Sequence, residues 1–216
     1  MEIQFSLTAY VANHIRRLIE LQKLRPGDLV PLEEIEKTLS VSRTPAREAI
    51  RQLELEHLVS IEPGRGAYVS PISRAELADL YGLRKYMEVK AAGLAAGSIS
   101  DYDLSILADN VGEYADLAGD PERLTLLDRQ FHYTIFEACG NRHVEKTLKS
   151  LRIRMGLLRQ PAYHNMQRVA CTLAEHKAVL AALQNRDAAA AEQAMYRHIQ
   201  NAWDERDLQE GMNAFS

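Results

Sequence analysis

Apolar residues recur along most of this chain with the three-to-four-residue period of an amphipathic helix, and the exceptions are confined to one short stretch. A helix from Thr8 to about Lys23 carries Val11, Ile15, Leu18, Ile19 and Leu21 on one face. Arg25-Pro26-Gly27-Asp28 has turn chemistry, Leu32 to Leu39 forms a short helix, and Ser42 stands where it can cap a longer one to about His57. At Val59-Ser60-Ile61 and Ala67-Tyr68-Val69 the pattern becomes that of two short strands. Between them, Glu62-Pro63-Gly64-Arg65-Gly66 suits a tight hairpin tip. Three helices followed by a small hairpin is the order of a winged helix-turn-helix, placed here over residues 1–72.

Ser73 opens a different region, residues 73–216. Its periodicity predicts six helices, at 74–97, 101–117, 122–139, 142–160, 166–185 and 188–209. The breaks fall at Gly97-Ser98, Gly119-Asp120-Pro121, Gly140-Asn141, Gln160-Pro161 and Asn185-Arg186-Asp187. Helical sequence of this length is enough for an antiparallel bundle with its own core. The fold class expected is therefore mainly α, a winged helix-turn-helix joined to an all-α bundle.

Composition adds constraints. The 216 residues are 46% apolar and 26% charged, with no apolar run long enough to cross a bilayer and no secretion-signal layout at Met1–Tyr10, so a cytoplasmic protein is expected. Cys139 and Cys171 lie in helical sequence without metal-finger spacing and are expected as buried thiols. A net charge of −4 excludes any argument for nucleic-acid binding from bulk charge, so positive charge must be concentrated on one element.

That element is Ser42 to Leu53. Arg43, Arg47 and Arg51 recur every fourth residue and form one stripe, while Ala46, Ala49, Ile50 and Leu53 form the opposite, inward face. Pro45 sits in the first turn, where its missing N–H is harmless. A helix of this kind fits the major groove, where arginine forks read guanine edges or grip phosphate. Glu48 is the exception to an otherwise acid-free stripe.

Pro26-Gly27-Asp28-Leu29, Val41 through Ile50 and Leu58-Val59 resemble the winged helix of GntR-type regulators. The resemblance implies DNA contacts from Ser42, Arg43, Thr44 and Arg47 on the recognition helix, and from Gly64 and Arg65 at the wing tip, in or near the minor groove. Three positions depart from the pattern: Glu36 stands where a small residue is usual, and Ser40 and His57 stand where glycine is usual.

In the helical region, polar residues interrupt stripes that ought to face the core. Asp128 and His132 share a face with Leu124, Leu127, Phe131, Ile135 and Ala138. His176 lies between Leu173 and Leu180, and His198 is in line with Ala191, Met195 and Ala202. Buried charge is expensive unless paired or bound to metal. Asp-x-x-x-His is good chelate spacing on one helix turn, and three imidazoles with one carboxylate suit a divalent transition ion such as Zn²⁺ or Ni²⁺. Arg84 shares a face with Leu77, Leu80, Met87 and Ala91, where it either reaches water or Glu88 or meets an anion inside the bundle. The anion reading implies a small carboxylate effector held by metal and Arg84 together. Trp203 and Met195 are expected as core or dimer contacts, and His14, His57, His143 and His164 as residues without a site role.

Arg84 to Glu88, Asp128-x-x-Phe131-His132, Gly140-Asn141, Glu175-His176 and Asp187 through His198 resemble the FCD ligand-binding domain of the FadR subfamily. The resemblance implies that Asp128, His132, His176 and His198 bind a metal and that a small organic acid is the effector. Six helices match the shorter, VanR-like branch. The expectation is thus a regulator that binds double-stranded, palindromic operator DNA as a homodimer, since two-fold operators match two-fold proteins. A metal-dependent hydrolase and a regulator with a purely structural metal share the same residues. The hydrolase lacks a recognisable separate base, nucleophile or phosphate loop.

Overall fold

The computed structural model describes residues 6–117, 120–156 and 166–213, with side chains through Asp204. The breaks expected at Gly119 and at Gln160-Pro161, the end of the helix expected to reach 160, and His164 lie outside the described residues. Two compact units divide the chain, the first comprising residues 1–77 and 152–159, the second residues 78–151 and 160–216.

In the first unit the order is α1 (Leu7–Glu20), α2 (Leu32–Leu39), α3 (Arg43–Leu55), β1 (Val59–Glu62) and β2 (Gly66–Val69). Ser6 caps α1 by accepting from the Ala9 N–H at 3.3 Å. The buried stripe of α1, Val11, Ala12, Ile15 and Ile19, packs on the buried face of α3, Ala46, Ala49, Ile50 and Leu53. Arg16 fixes the far end of α3 with a fork, Nε and Nη2 donating to the two oxygens of Glu56 at 3.0 and 2.5 Å. β1 and β2 pair antiparallel from Val59↔Val69 to Glu62↔Gly66, and the segment after the first turn joins them through a bridge between Leu29 and Tyr68. Gly66 is required there: its φ is +125°, and a Cβ would lie 2.9 Å from Leu29 Cδ1.

Ser40 and His57 close α2 and α3 in the left-handed conformation, with φ of 53° and 57°. Their backbone positions are those that favour glycine, so both departures from the family pattern sit where a side chain carries conformational strain. The third departure, Glu36, is half-buried in α2.

The second unit is built on α4 (Arg74–Ser98), α5 (Asp101–Asp116), α6 (Pro121–Ala138), α7 (Arg142–Gly156), α8 (Met166–Gln184) and α9 (Ala188–Asn213), the first residues of α4 and the last of α7 being counted with the first unit. Its helix starts are set locally. Ser100, Asp120, Asn141 and Asp187 accept hydrogen bonds from first-turn amides of α5, α6, α7 and α9. The core gathers small residues of α4 (Ala91, Ala92, Ala95, Ala96) with Phe131, Ile135, Phe136, Val179, Leu183, Met195 and Ile199. Burying each large one contributes roughly 1.5–3 kcal/mol. A satellite cluster of Tyr114, Leu124, Leu127 and Val169 lies beside it.

One expectation is corrected. Both cysteines are free and Cys139 is buried, but Cys171 is exposed. The inward stripe of α8 runs through Arg168, Val169, Thr172, His176, Val179 and Leu180, and Cys171 is one residue, about 100° of helix, off that stripe. Among the described residues no helix is long and apolar enough to cross a membrane.

Candidate functional site

The first unit presents an exposed row. Ser42, Arg43, Thr44, Arg47 and Arg51 of α3 and Gly64 and Arg65 of the hairpin tip all face solvent. Ser42 occupies the N-cap position of α3 without a side-chain capping bond. The arginines differ in their partners. Arg51 donates to Glu48 at 2.8 Å, and Arg65 donates to Glu62 at 2.5 Å while its guanidinium lies 5.7 Å from the Tyr68 ring centre. Arg43 and Arg47 make no ion pair among the described residues. Exposed i,i+3 pairs are weak, so phosphate or a base edge competes easily for Arg51 and Arg65.

The second unit hides its charges. Asp128 and His132 of α6, His176 of α8 and His198 of α9 are all buried, and their donor atoms lie within 4.8 Å of one another. Helical period alone puts Asp128 and His132 on one face, whereas packing brings in the other two. His132 Nε2 is 3.1 Å from His198 Nε2, and Asp128 Oδ1 is 3.8 Å from His132 Nε2 and 3.7 Å from His176 Nε2. Donors bonded at about 2.0–2.2 Å to one transition ion stand roughly 3–4 Å apart, and these three separations fall in that range. His132 and His176 face the carboxylate through Nε2, and His198 presents its Nε2 to that of His132.

The opposite edges of two rings meet acids. His132 Nδ1 is 2.6 Å from Glu88 Oε2, and His198 Nδ1 is hydrogen-bonded to Glu175 Oε2 across 2.8 Å. Each acid is met in turn by a buried arginine. Arg84 Nε donates to Glu88 Oε1 at 2.5 Å, and Arg168 donates to both oxygens of Glu175 at 3.2 and 3.0 Å. Burial raises the Glu175 carboxyl, but hydrogen bonds from His198 and Asn201 and the charges of His198 and Arg168 outweigh it and hold the group below its ordinary value. The third ring, His176, stacks on Phe131 with centres 4.0 Å apart and planes 7° apart, and meets Tyr114 edge-on.

All four expected metal ligands are therefore brought together. Arg84 reaches Glu88, as one of its two readings had it, and its charge is offset there. Arg168 escaped the sequence reading, although it lies two helical turns before His176 on the same face, where a permanent cation is out of place. Glu88 and Glu175 lie inside the segments that resemble the FCD domain, where the linear pattern assigns them no role. Met195 is core, and Trp203 is half-buried against Tyr81, ring centres 4.8 Å apart. His14, His57 and His143 lie outside the cluster.

Comparison with known proteins finds two family matches along the chain. Residues 7–69 match the gntR family of bacterial regulatory proteins, and residues 79–201 match the FCD domain. The HTH-type transcriptional repressor RspR of Escherichia coli (strain K12) is 28% identical over 207 residues, 93% of this chain and 90% of that protein. The HTH-type transcriptional regulator LutR of Bacillus subtilis (strain 168) is 27% identical over 210 residues, 87% of this chain and 95% of that one. Among solved structures, E. coli McbR/YncC superposes with a TM-score of 0.86 at 22% identity, covering 96% of this chain and 100% of the other, a likeness of fold.

Proposed function

The chain belongs to the gntR family of bacterial regulatory proteins and carries their FCD domain, and from that premise we propose that a metal-held organic acid controls its affinity for operator DNA. The observation that carries this reading is the convergence of Asp128, His132, His176 and His198 from three helices into one buried cluster. Three imidazoles and one carboxylate favour Zn²⁺ or Ni²⁺. Such an ion, when bound, supplies a Lewis-acid anchor for an anionic ligand.

Charge accounting supports an anion. Arg84 offsets Glu88 and Arg168 offsets Glu175, so only Asp128 is set against a divalent ion if the histidines are neutral, leaving about one net positive charge. Arg84 engages Glu88 through Nε, and its two terminal amino groups remain donors for a carboxylate. At the other end, Ser42, Arg43, Thr44, Arg47 and Arg51 enter the major groove, and Gly64 and Arg65 approach the minor groove. One such helix reads only a few base pairs, so the chain acts as a homodimer on a palindromic operator. Effector binding changes the population of DNA-competent dimers.

Metal content per chain tests this first, measured by mass spectrometry on the wild type and on His176→Ala, purified without chelator or affinity histidines. About one transition ion per chain, absent from the variant, is the expected result. DNA release is then titrated with small mono-, di- and tricarboxylates. If no carboxylate moves DNA affinity and metal removal unfolds the helical unit, the metal is structural and the effector reading falls.

A further inference from the structure

We propose that Glu88 and Glu175 are positioning residues for the ion: each takes the Nδ1 proton of one ligand histidine and thereby commits Nε2 of that ring to the metal. The inference rests on the metal reading above and assigns what holds the site ready.

Neutral imidazole carries one proton, on either nitrogen, and only the bare nitrogen ligates. An ionised carboxylate accepts hydrogen bonds and donates none, so an acid facing Nδ1 draws the proton to that side. His198 Nδ1 is hydrogen-bonded to such an acid at 2.8 Å, and His132 Nδ1 stands 2.6 Å from another. With both protons on Nδ1, two Nε2 lone pairs confront each other across 3.1 Å, an arrangement that a cation relieves. The buried arginines complete the device. Arg84 holds Glu88 and Arg168 holds Glu175 in place, offsetting each acid's charge, and Asn201 adds a donor to Glu175 at 2.8 Å.

The two Arg–Glu–His chains are built independently. One runs from α4 to α6, through Arg84, Glu88 and His132; the other runs from α8 to α9, through Arg168, Glu175 and His198. Burying two ion pairs is a poor source of stability, because desolvation consumes most of the attraction and apolar residues of similar volume do as well. Their recurrence on two ligands of one cluster points to orientation of those ligands. His176 is oriented by other means, its stack on Phe131.

The test is nitrogen-15 NMR of the histidine rings in the full-length wild type, metal-free and loaded with Zn²⁺, together with Zn²⁺ affinity by chelator competition. His132 and His198 are expected as Nδ1–H rings metallated at Nε2. Glu88→Gln and Glu175→Gln are expected to lower Zn²⁺ affinity on the order of 10- to 100-fold and to disturb the ring signals. The control Glu192→Gln, which breaks an exposed pair with Lys90, leaves both unchanged. Protonation of His132 and His198 at Nε2, or metallation at Nδ1, overturns the proposal from the wild-type spectrum alone, whether or not a variant folds. Wild-type affinity in both glutamine variants overturns it while the metal reading stands. A wild type that takes up no ion overturns both.

Discussion

Arginine stands in two opposite environments in this chain. On α3, Arg43 and Arg47 are exposed and make no ion pair among the described residues. In the helical unit, Arg84 and Arg168 are 7% and 6% exposed, and each is tied to a glutamate. Water solvates an exposed guanidinium at little cost, so it can remain unpaired and available to an incoming phosphate or guanine. A buried one must be neutralised within the protein, so it becomes part of the framework that orients other groups. The same side chain is a ligand-seeking group in one unit and a structural counter-ion in the other. Fields at the surface are screened by salt within about 10 Å at 0.1 M, whereas those around the buried cluster are screened far less.

The contrast is broken or sharpened by direct substitution, starting with the largest effect. Arg168→Met leaves Glu175 without its arginine and is expected to destabilise the chain by about 3–5 kcal/mol. Arg47→Met is expected to stay within about 0.5 kcal/mol of wild type. Urea denaturation of both variants checks this, and equal stabilities would erase the distinction. Next, Arg47→Ala is expected to weaken operator binding by about 1–3 kcal/mol, with an unchanged melting temperature. Gel-shift titration at fixed salt, paired with calorimetry, measures both, and unaltered affinity would remove α3 from the DNA interface.

The smallest effect concerns a histidine of the first unit. Burial, then the charge of Arg17, holds His14 below its ordinary value of 6.5. The unfolded chain therefore binds more protons at this site, so the His14 contribution to stability rises with pH, is complete above 6.5 and is absent below the folded value. His14→Gln should flatten this slope, as read by hydrogen exchange of the α1 amides across that window. An identical slope in the variant would assign the dependence elsewhere.

Much of this was legible in the linear pattern. The helix starts match within about one residue because their signals are local: a capping side chain such as Ser100 or Asp187 lies three residues from the amide it serves. By contrast, α1 ends earlier, at Glu20, and α9 later, at Asn213, than the pattern predicts. Ser40 and His57 were legible as departures because a helix C-terminus imposes its left-handed requirement wherever it occurs. Asp128, His132, His176 and His198 were legible as polar residues inside apolar stripes. Cys171 was misread because a difference of one residue in the stripe of α8 decides burial. Arg168 was not read at all, although its acceptor, Glu175, follows seven residues later on the same helix.

By itself, then, the sequence determined the elements, the exposed arginine row of α3 and the presence of polar groups on inward faces. Each depends only on helical period and short-range hydrogen bonds, which are properties of a segment. Tertiary structure alone decided that four donors from α6, α8 and α9 share one buried cluster, that Nε2 of His132 meets Nε2 of His198 there, and that the two Arg–Glu pairs are buried beside it. Those outcomes depend on the separation and rotation of helix axes. These are set by the packing of Phe131, Ile135, Val179 and Met195 between elements distant in sequence, so no single segment encodes them.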